Sequence, residues 1–444
     1  MGVANYDVAV MNYPLFEKGR LSGEEANKLF ARPRYTDIGG PWPVSLYIHI
    51  PFCDSLCDFC VYNRMLAPGN RGLVQEFVDA LIREIALYAR EWGKAENKLD
   101  AVFIGGGTPT ALSASQLEKI LQALHRCFDL HGSEMTVECN PLNATREKLA
   151  VCKRYGVTRI STGVQSFQNS LRKSHHIAKR AEAVAKWLEE LRAFHFDDES
   201  LDLLYGFPDG EEVGFLSDVK RAAAMKMGHI SLYKLAAFAY TTLYKKLLSS
   251  KGEGLPDDES CFAMFQKAHR LLLQKGYILQ SVQEYGIKGK TTRFWDATYD
   301  GFGDNLAMGV SSFGYVNGYC YQNTNDVREY IRRLQDGCLP VERCSLPITP
   351  EQLRERAVIL GFRRGYVLRE PFAAAFGTPL ERVFGETVEK LIAQGLIEEH
   401  RERFSLTEKG LYYQGNVSAA FMLSVFEGVS PLKKKMCIGA HEMP

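Results

Sequence analysis

Ile50-Pro-Phe-Cys53-Asp-Ser-Leu-Cys57-Asp-Phe-Cys60-Val-Tyr62 is the stretch on which the reading of this chain turns. Three cysteines, spaced by three residues and then two, follow directly on the apolar run Ser45–Ile50, the pattern of a strand ending in a loop. So short a loop can present three thiolates to three corners of one cube. A 4Fe–4S cluster ordinarily takes four cysteine ligands. Three close ones with no evident fourth leave one iron open to another ligand, which makes the cluster a reaction site rather than an electron relay. Zinc is a competing reading, but zinc sites usually pair cysteines two and two or with histidine, and no second pair lies nearby. Buried packing cysteines are the other, and they seldom cluster this closely.

Working outward, the 444 residues are 46% hydrophobic and 24% charged, enough for a barrel plus a smaller appended domain. A net charge of +1 gives no reason to expect nucleic acid or an anionic membrane as partner. The eleven cysteines form no disulfide framework, and those outside the loop stand singly. The N-terminus shows no basic-then-apolar signal segment and no apolar run is long enough to span a bilayer, so a cytoplasmic location is expected.

Strand-like and helix-like segments alternate. Strands are expected at Leu46–Ile50, Ala101–Ile104, Met135–Glu138, Arg159–Val164, Ser200–Leu204 and Ile230–Leu235. Helical patterns fall between them, at Val74–Trp92, Ala114–Phe128, Arg146–Tyr155, Arg180–Phe194 and Val213–Met225, with Asp257–Lys275 after the last strand. Short apolar strands joined by helical crossovers predict an α/β fold, a partial (β/α)6 TIM-type barrel. Residues 1–40 read as an N-terminal arm, 41–340 as the barrel with its substrate loops, and 345–444 as a small helical, winged-helix-like domain.

In parallel α/β sheets active groups gather at the C-terminal strand ends, and the motifs fall there. The second strand runs into Gly105-Gly-Gly-Thr-Pro-Thr110, whose glycines permit close approach of a ligand or simply a tight turn. The third ends at Glu138, the fourth at Gln165, and the fifth carries Asp202 inside an apolar run, as a ligand contact or a structural hydrogen-bonding group. Farther on, Thr292-Arg-Phe-Trp-Asp-Ala-Thr-Tyr299 precedes Met308-Gly-Val-Ser-Ser-Phe313. It reads either as a lid over a flat, unsaturated substrate or as a connection packing its rings on the barrel. Thr349–Leu360, Pro371–Phe376 and Leu380–Gln394 read as helices, followed by a polar hairpin. That hairpin is not basic, so a lid domain is a better reading of the region than DNA binding. Phe421–Phe426 reads as an apolar helix and Lys433–Lys435 as a solvated tail.

Cys-x3-Cys-x2-Cys with Phe59 before the third cysteine resembles the signature of radical S-adenosylmethionine (SAM) enzymes. The resemblance implies a cluster on Cys53, Cys57 and Cys60 whose open iron takes SAM, one-electron cleavage of SAM to a 5′-deoxyadenosyl radical, and hydrogen abstraction from substrate. Tyr47-Ile-His-Ile-Pro-Phe-Cys53, Gly105-Gly-Gly-Thr-Pro109, Gly163-Val-Gln-Ser-Phe167 and Asp202-Leu-Leu-Tyr-Gly206 look like one branch. This is the family of oxygen-independent coproporphyrinogen III oxidase, with its heme chaperones, heme-degrading radical methyltransferases and natural-product C-methylating enzymes. The likeness runs from about Pro33 to the C-terminal region.

The resemblance implies two SAM molecules. Tyr47, Gly106, Glu138 and Phe313 match the contacts of the cluster-bound one, and Phe59, Gly107, Thr108, Gln165, Asp202 and Ala236 those of the second. Two positions depart from the pattern. Ile177 stands where the family has an arginine, with Lys179 or Arg180 able to replace it only by a local shift. Tyr62 stands where the decarboxylating oxidase has a further cysteine, which argues against porphyrinogen decarboxylation. The expectation is therefore a C-methyltransferase type of radical SAM enzyme that uses the second SAM to alkylate an unsaturated substrate, a tetrapyrrole such as heme or an aromatic natural product. The alternatives are a heme chaperone-like binding protein and an oxidase-type decarboxylase. A reductant such as flavodoxin or ferredoxin is the expected partner. Tyr62, His49, His175 and His176 are candidates by residue type for completing proton transfer.

Overall fold

The computed structural model describes residues 42–92, 98–238, 241–249, 255–299 and 301–423. The expected N-terminal arm, the end of the Phe421–Phe426 segment and Lys433–Lys435 lie outside them.

Six parallel strands carry the site: β1 (Val44–Ile50), β2 (Ala101–Gly106), β3 (Glu134–Cys139), β4 (Arg159–Gln165), β5 (Asp198–Tyr205) and β6 (His229–Lys234). They pair in chain order. Helices cover the outer face of the strands, while the inner face lines the barrel and carries polar groups such as Ser161, Ser200, Asp202 and Ser231. The crossover helices include Arg71–Trp92, Ala114–Cys127, Arg146–Arg154, Ala181–Arg192 and Glu212–Ala224, within a residue or three of their expected bounds. Their starts follow side-chain chemistry. Ser113 and Gln116 form a capping box, and Thr145 accepts from Lys148 N at the next helix.

The sheet extends beyond these six strands at both edges. Asp304–Gly309 lies parallel to β1 on its outer side, followed by antiparallel strands Phe313–Val316, Tyr319–Asn323 and Val341–Cys344. Beyond β6, Glu284–Ile287 and Tyr277–Ser281 add an antiparallel pair. The aromatic run therefore forms a short helix, Arg293–Tyr299, leading into a sheet strand.

The lower end of the barrel is closed by charge. Arg159, Asp198 and His229 are the first residues of β4, β5 and β6. The buried Arg159 pairs with Asp198 at 3.1 Å and with Glu284, and donates to Thr292 Oγ1 at 2.9 Å, while His229 Nδ1 lies 2.5 Å from Asp198 Oδ2. A buried guanidinium requires such partners on every side. On the outer face Glu84, fully buried in helix Arg71–Trp92, accepts from Gly309 N, Asn323 Nδ2 and Tyr330 OH at 2.5–2.8 Å, tying that helix to the Asp304–Gly309 strand.

The C-terminal region is helical, with a three-stranded antiparallel sheet in the order Tyr366–Leu368, Arg403–Leu406, Ile397–Glu399, the arrangement of a winged helix. It is tied to the barrel through Asp258, which accepts from Lys234 at the end of β6 and from Tyr412 and Tyr413, each at 2.7 Å.

Candidate active site

The cysteine loop is held by its own backbone. Met65 N donates to Pro51 O and Ala67 N to Cys53 O, closing a short parallel bridge between Phe52–Cys53 and Met65–Leu66. Arg64 folds back over the loop and donates to Cys57 O at 2.7 Å and Tyr62 O at 3.2 Å. Asp58, between two of the cysteines, is buried; its carboxylate takes His175 Nδ1 at 3.0 Å and Lys246 Nζ at 2.7 Å, pinning the loop to two neighbouring segments.

Cys53, Cys57 and Cys60 line one cavity of about 320 Å³. No group of three His, Cys, Asp or Glu among the described residues is gathered tightly enough for a single metal ion. A lone zinc needs its thiolates to meet about 2.3 Å from one centre, whereas a cube takes them on three separate irons. Three thiols on the wall of one cavity fit a cluster. Burial pushes the Cys53 thiol up to about 11 and Cys57 up to about 12, and raises Cys60 as well. These side chains become thiolates at neutral pH only when metal supplies the compensating charge.

The glycine loop lies against the cysteine loop. Gly107 N donates to Ile50 O at 2.8 Å and Thr108 N to Phe52 O at 2.7 Å; a Cβ on Gly107 would stand 2.8 Å from both carbonyls. Gly106 has φ +103°, and a Cβ there would stand 2.7 Å from the His49 ring. Its N–H donates to Glu138 Oε2 at 3.1 Å. Thr108 Oγ1 donates to Cys53 Sγ at 3.5 Å. Gln165 sits at φ +69° where β4 and β5 slip register, a strained conformation for a residue with a side chain.

A second cavity of about 300 Å³ occupies the barrel interior and shares with the first a wall of Val61, Tyr62, Gly106, Glu138, Asp202 and Tyr233. Its walls combine aromatic rings with polar and charged groups such as Arg159, Ser161, Asp202, Glu284 and Arg356. Phe103 packs against Phe294 at 5.0 Å and Trp295 at 5.8 Å between ring centroids, and Tyr47, Phe313 and Tyr315 line it too. Trp295 stacks on Tyr299 at 5.3 Å with the planes 10° apart. The rings of the aromatic run thus both pack on the barrel and face its interior.

Burial, with the Asp202 charge, pushes the Glu138 carboxyl up to about 8; burial raises Asp202 to about 6 against a hydrogen bond from Ser231. Two such acids beside one cavity await a cationic partner. Burial brings His49 down to about 4, so it is neutral, with Nε2 3.0 Å from Asn63 O and Nδ1 3.3 Å from Tyr47 OH.

The expected contacts divide by cavity. Tyr47 and Phe313 face the aromatic one; Phe59, Gly107, Thr108, Gln165 and Ala236 face the cysteine one; Gly106, Glu138, Asp202 and Tyr62 lie on both. Ile177 lines the cysteine cavity, while Lys179 and Arg180 are exposed and Arg180 pairs with Glu182, so no local shift carries either inward. Of the three candidate histidines, His49 lines the aromatic cavity, His175 is spent on Asp58 and His176 is exposed. Phe103, Tyr233, Arg159 and Glu284 were not singled out by sequence reasoning. A charge at the start of a strand is a signal for Arg159 and Glu284; nothing comparable marks Phe103 or Tyr233.

Comparison with known proteins defines the class. Residues 47–216 match the model of the radical SAM superfamily and 348–413 that of the HemN C-terminal domain. The fold and this match make the protein a radical SAM enzyme. The chain is 31% identical to the heme chaperone HemW of Lactococcus lactis, over 86% of this chain and 98% of that one. It is 26% identical to the oxygen-independent coproporphyrinogen III oxidase of Pseudomonas aeruginosa, over 83% of each. The solved structure of coproporphyrinogen III oxidase HemN from Escherichia coli superimposes with a TM-score of 0.78, covering 93% of this chain and 96% of that one at 22% identity. The chain belongs to the radical SAM family of oxygen-independent coproporphyrinogen III oxidase and heme chaperone HemW. Those names favour the heme-handling alternative over the expected methyl transfer. No helix among the described residues is long and apolar enough to cross a membrane.

Proposed function

We propose that this protein binds SAM beside a 4Fe–4S cluster on Cys53, Cys57 and Cys60 and holds heme or a related tetrapyrrole in the aromatic cavity, without transferring a methyl group. The observation that carries this reading is the common wall: the cavity of the three cysteines and the aromatic cavity meet at Gly106, Glu138, Asp202 and Tyr233. When bound, the cluster and SAM supply one-electron cleavage and a carbon-centred radical. The protein's own groups bind and shield. Glu138, with the Gly106 backbone beside it, receives the amino group of SAM, whose positive charge draws the carboxyl to its ionised form. Phe59, Leu204 and Leu235 keep water from the cysteine side. Phe103, Trp295, Phe313 and Tyr315 offer flat faces to an unsaturated ring system. Similarity to heme chaperones over nearly their whole length supports heme as the ligand, and Tyr62 in place of a further cysteine speaks against decarboxylation.

Methyl transfer is the second reading, favoured by Thr108, Gln165, Asp202 and Ala236 on one cavity and weakened by Ile177 in its wall. The test is anaerobic titration of the cluster-loaded protein with heme, followed by its Soret absorbance. One heme per chain is expected, with Trp295→Ala lowering affinity about tenfold, as loss of one stacked ring does. Heme binding that Trp295→Ala and Phe103→Ala leave unchanged would remove the aromatic cavity from the account.

A further inference from the structure

Cys57 Sγ lies 4.0 Å from the carbonyl oxygen of His176, and His176 is exposed. A single residue therefore separates a cysteine of the cluster loop from solvent. The surroundings of that thin wall are one-sided in charge. The wall belongs to the turn 175–180, after the short helix Asn169–Ser174, and beside it runs helix Thr242–Ser249, whose Leu243 N donates to Asp58 O at 2.9 Å. Lys173, Lys179, Arg180 and Lys245 are exposed there, and Lys246 is half-exposed while it reaches Asp58. Residues 169–182 contain one acid, Glu182, paired with Arg180, and residues 241–249 contain none. Asp58 presents no charge outward, being buried with one oxygen on His175 and the other on Lys246. The whole chain carries a net charge of only +1, so this concentration of cations is local.

We infer that this basic face is the docking surface for a small acidic one-electron carrier protein, which delivers its electron past His176 to the Cys57 corner of the cluster. The inference rests on the reading that the three cysteines hold a cluster. The step balances simply: the carrier is oxidised by one electron, the cluster is reduced by one, and no bond is made or broken between the proteins. Charge complementarity chooses the partner, since opposite charges around an uncharged contact steer encounter and orient it. It also puts the carrier on the outside of the cysteine loop, leaving the two cavities free for SAM and substrate. The dependence on salt follows, because exposed charges are screened over about 10 Å at 0.1 M ionic strength.

The experiment is isothermal titration of the cluster-loaded protein with oxidised flavodoxin at low and at high salt, beside stopped-flow reduction by flavodoxin hydroquinone. Lys173→Glu/Lys245→Glu should weaken binding at least about tenfold at low salt and slow flavodoxin-driven reduction, with the difference shrinking at high salt. Lys173→Gln/Lys245→Gln should show a smaller loss of the same kind, and Lys119→Glu, on a crossover helix outside this face, none. SAM cleavage driven by dithionite should be unchanged in all three. Equal affinity of the wild type and the Glu double variant would overturn the inference, as would a salt-independent affinity or tighter binding of polyuridylate than of flavodoxin. Failure of dithionite to drive cleavage in the wild type would instead overturn the cluster reading, while the titration would still report on the face itself.

Discussion

Glu138 is the residue on which binding and stability meet. Its carboxyl lies partly buried beside Asp202, takes one hydrogen bond from Gly106 N, and is pushed by burial up to about 8. A carboxyl raised above its unfolded value of 4.5 contributes stability that is fully present below pH 4.5 and lost as pH rises through about 8. The SAM-free protein should therefore melt at progressively lower temperature from about pH 5 to about pH 8, relative to Glu138→Gln. The difference is of order 3 kcal/mol, from 1.36 kcal/mol per pH unit less a discount for the part water reaches. Thermal melts across that range check it, and parallel curves for the two proteins would refute it. Residue identities at the rim were legible because cysteine, glycine, Glu138 and Gln165 all fall at strand ends. The fate of Ile177 was half legible. Its departure from the family is plain in the sequence, but whether Lys179 or Arg180 turns inward depends on how the following turn is held.

That turn is a matter of elements. Arg172, buried at the end of helix Asn169–Ser174, donates to Val164 O and Lys179 O at 2.7 Å, to Ser166 O at 2.8 Å, and to Ala178 O. One guanidinium thus binds the end of β4 to the turn and holds Lys179 facing out. Arg172→Leu leaves these carbonyls dry and should cost about 3–5 kcal/mol, with hydrogen exchange rising first across residues 173–180. A loss below 1 kcal/mol would mean that water replaces the guanidinium. Long-range clamps of this kind leave no local pattern, which is why sequence reasoning did not find it. The same distinction separates strands found from strands missed. β1 and β2 announce themselves as apolar runs, and β3 to β6 by shorter apolar stretches between helices. Asp304–Gly309 opens with Asp-Asn and takes its place by pairing with β1, some 260 residues earlier.

At the scale of the molecule, the radical SAM domain and the C-terminal region share one hydrophobic core, and polar contacts cross the seam as well. Asp258 gathers Lys234 from the barrel rim and Tyr412 and Tyr413 from the C-terminal helices, and Lys234 lies 5.0 Å from the Tyr412 ring. Asp258→Ala should cost about 1–2 kcal/mol, modest because the carboxylate is partly solvated, and should speed proteolysis of residues 348–413 while the iron content stays unchanged. Loss of iron in that variant would show that the C-terminal region supports the cluster loop, contrary to the division described. Sequence reasoning saw both parts but not the seam, because Asp258 reads simply as the start of a helix.

The central claim, a SAM-cleaving cluster site that serves heme rather than methyl transfer, meets its most direct test in one reaction. The cluster-loaded protein is reduced anaerobically with dithionite in the presence of heme and methyl-deuterated SAM, and 5′-deoxyadenosine is followed by mass spectrometry. The account predicts 5′-deoxyadenosine that carries no deuterium and that disappears in Cys57→Ser. Deuterium in the 5′-deoxyadenosine would contradict it by showing a SAM methyl group as hydrogen donor, and its complete absence would contradict the SAM-cleaving site itself.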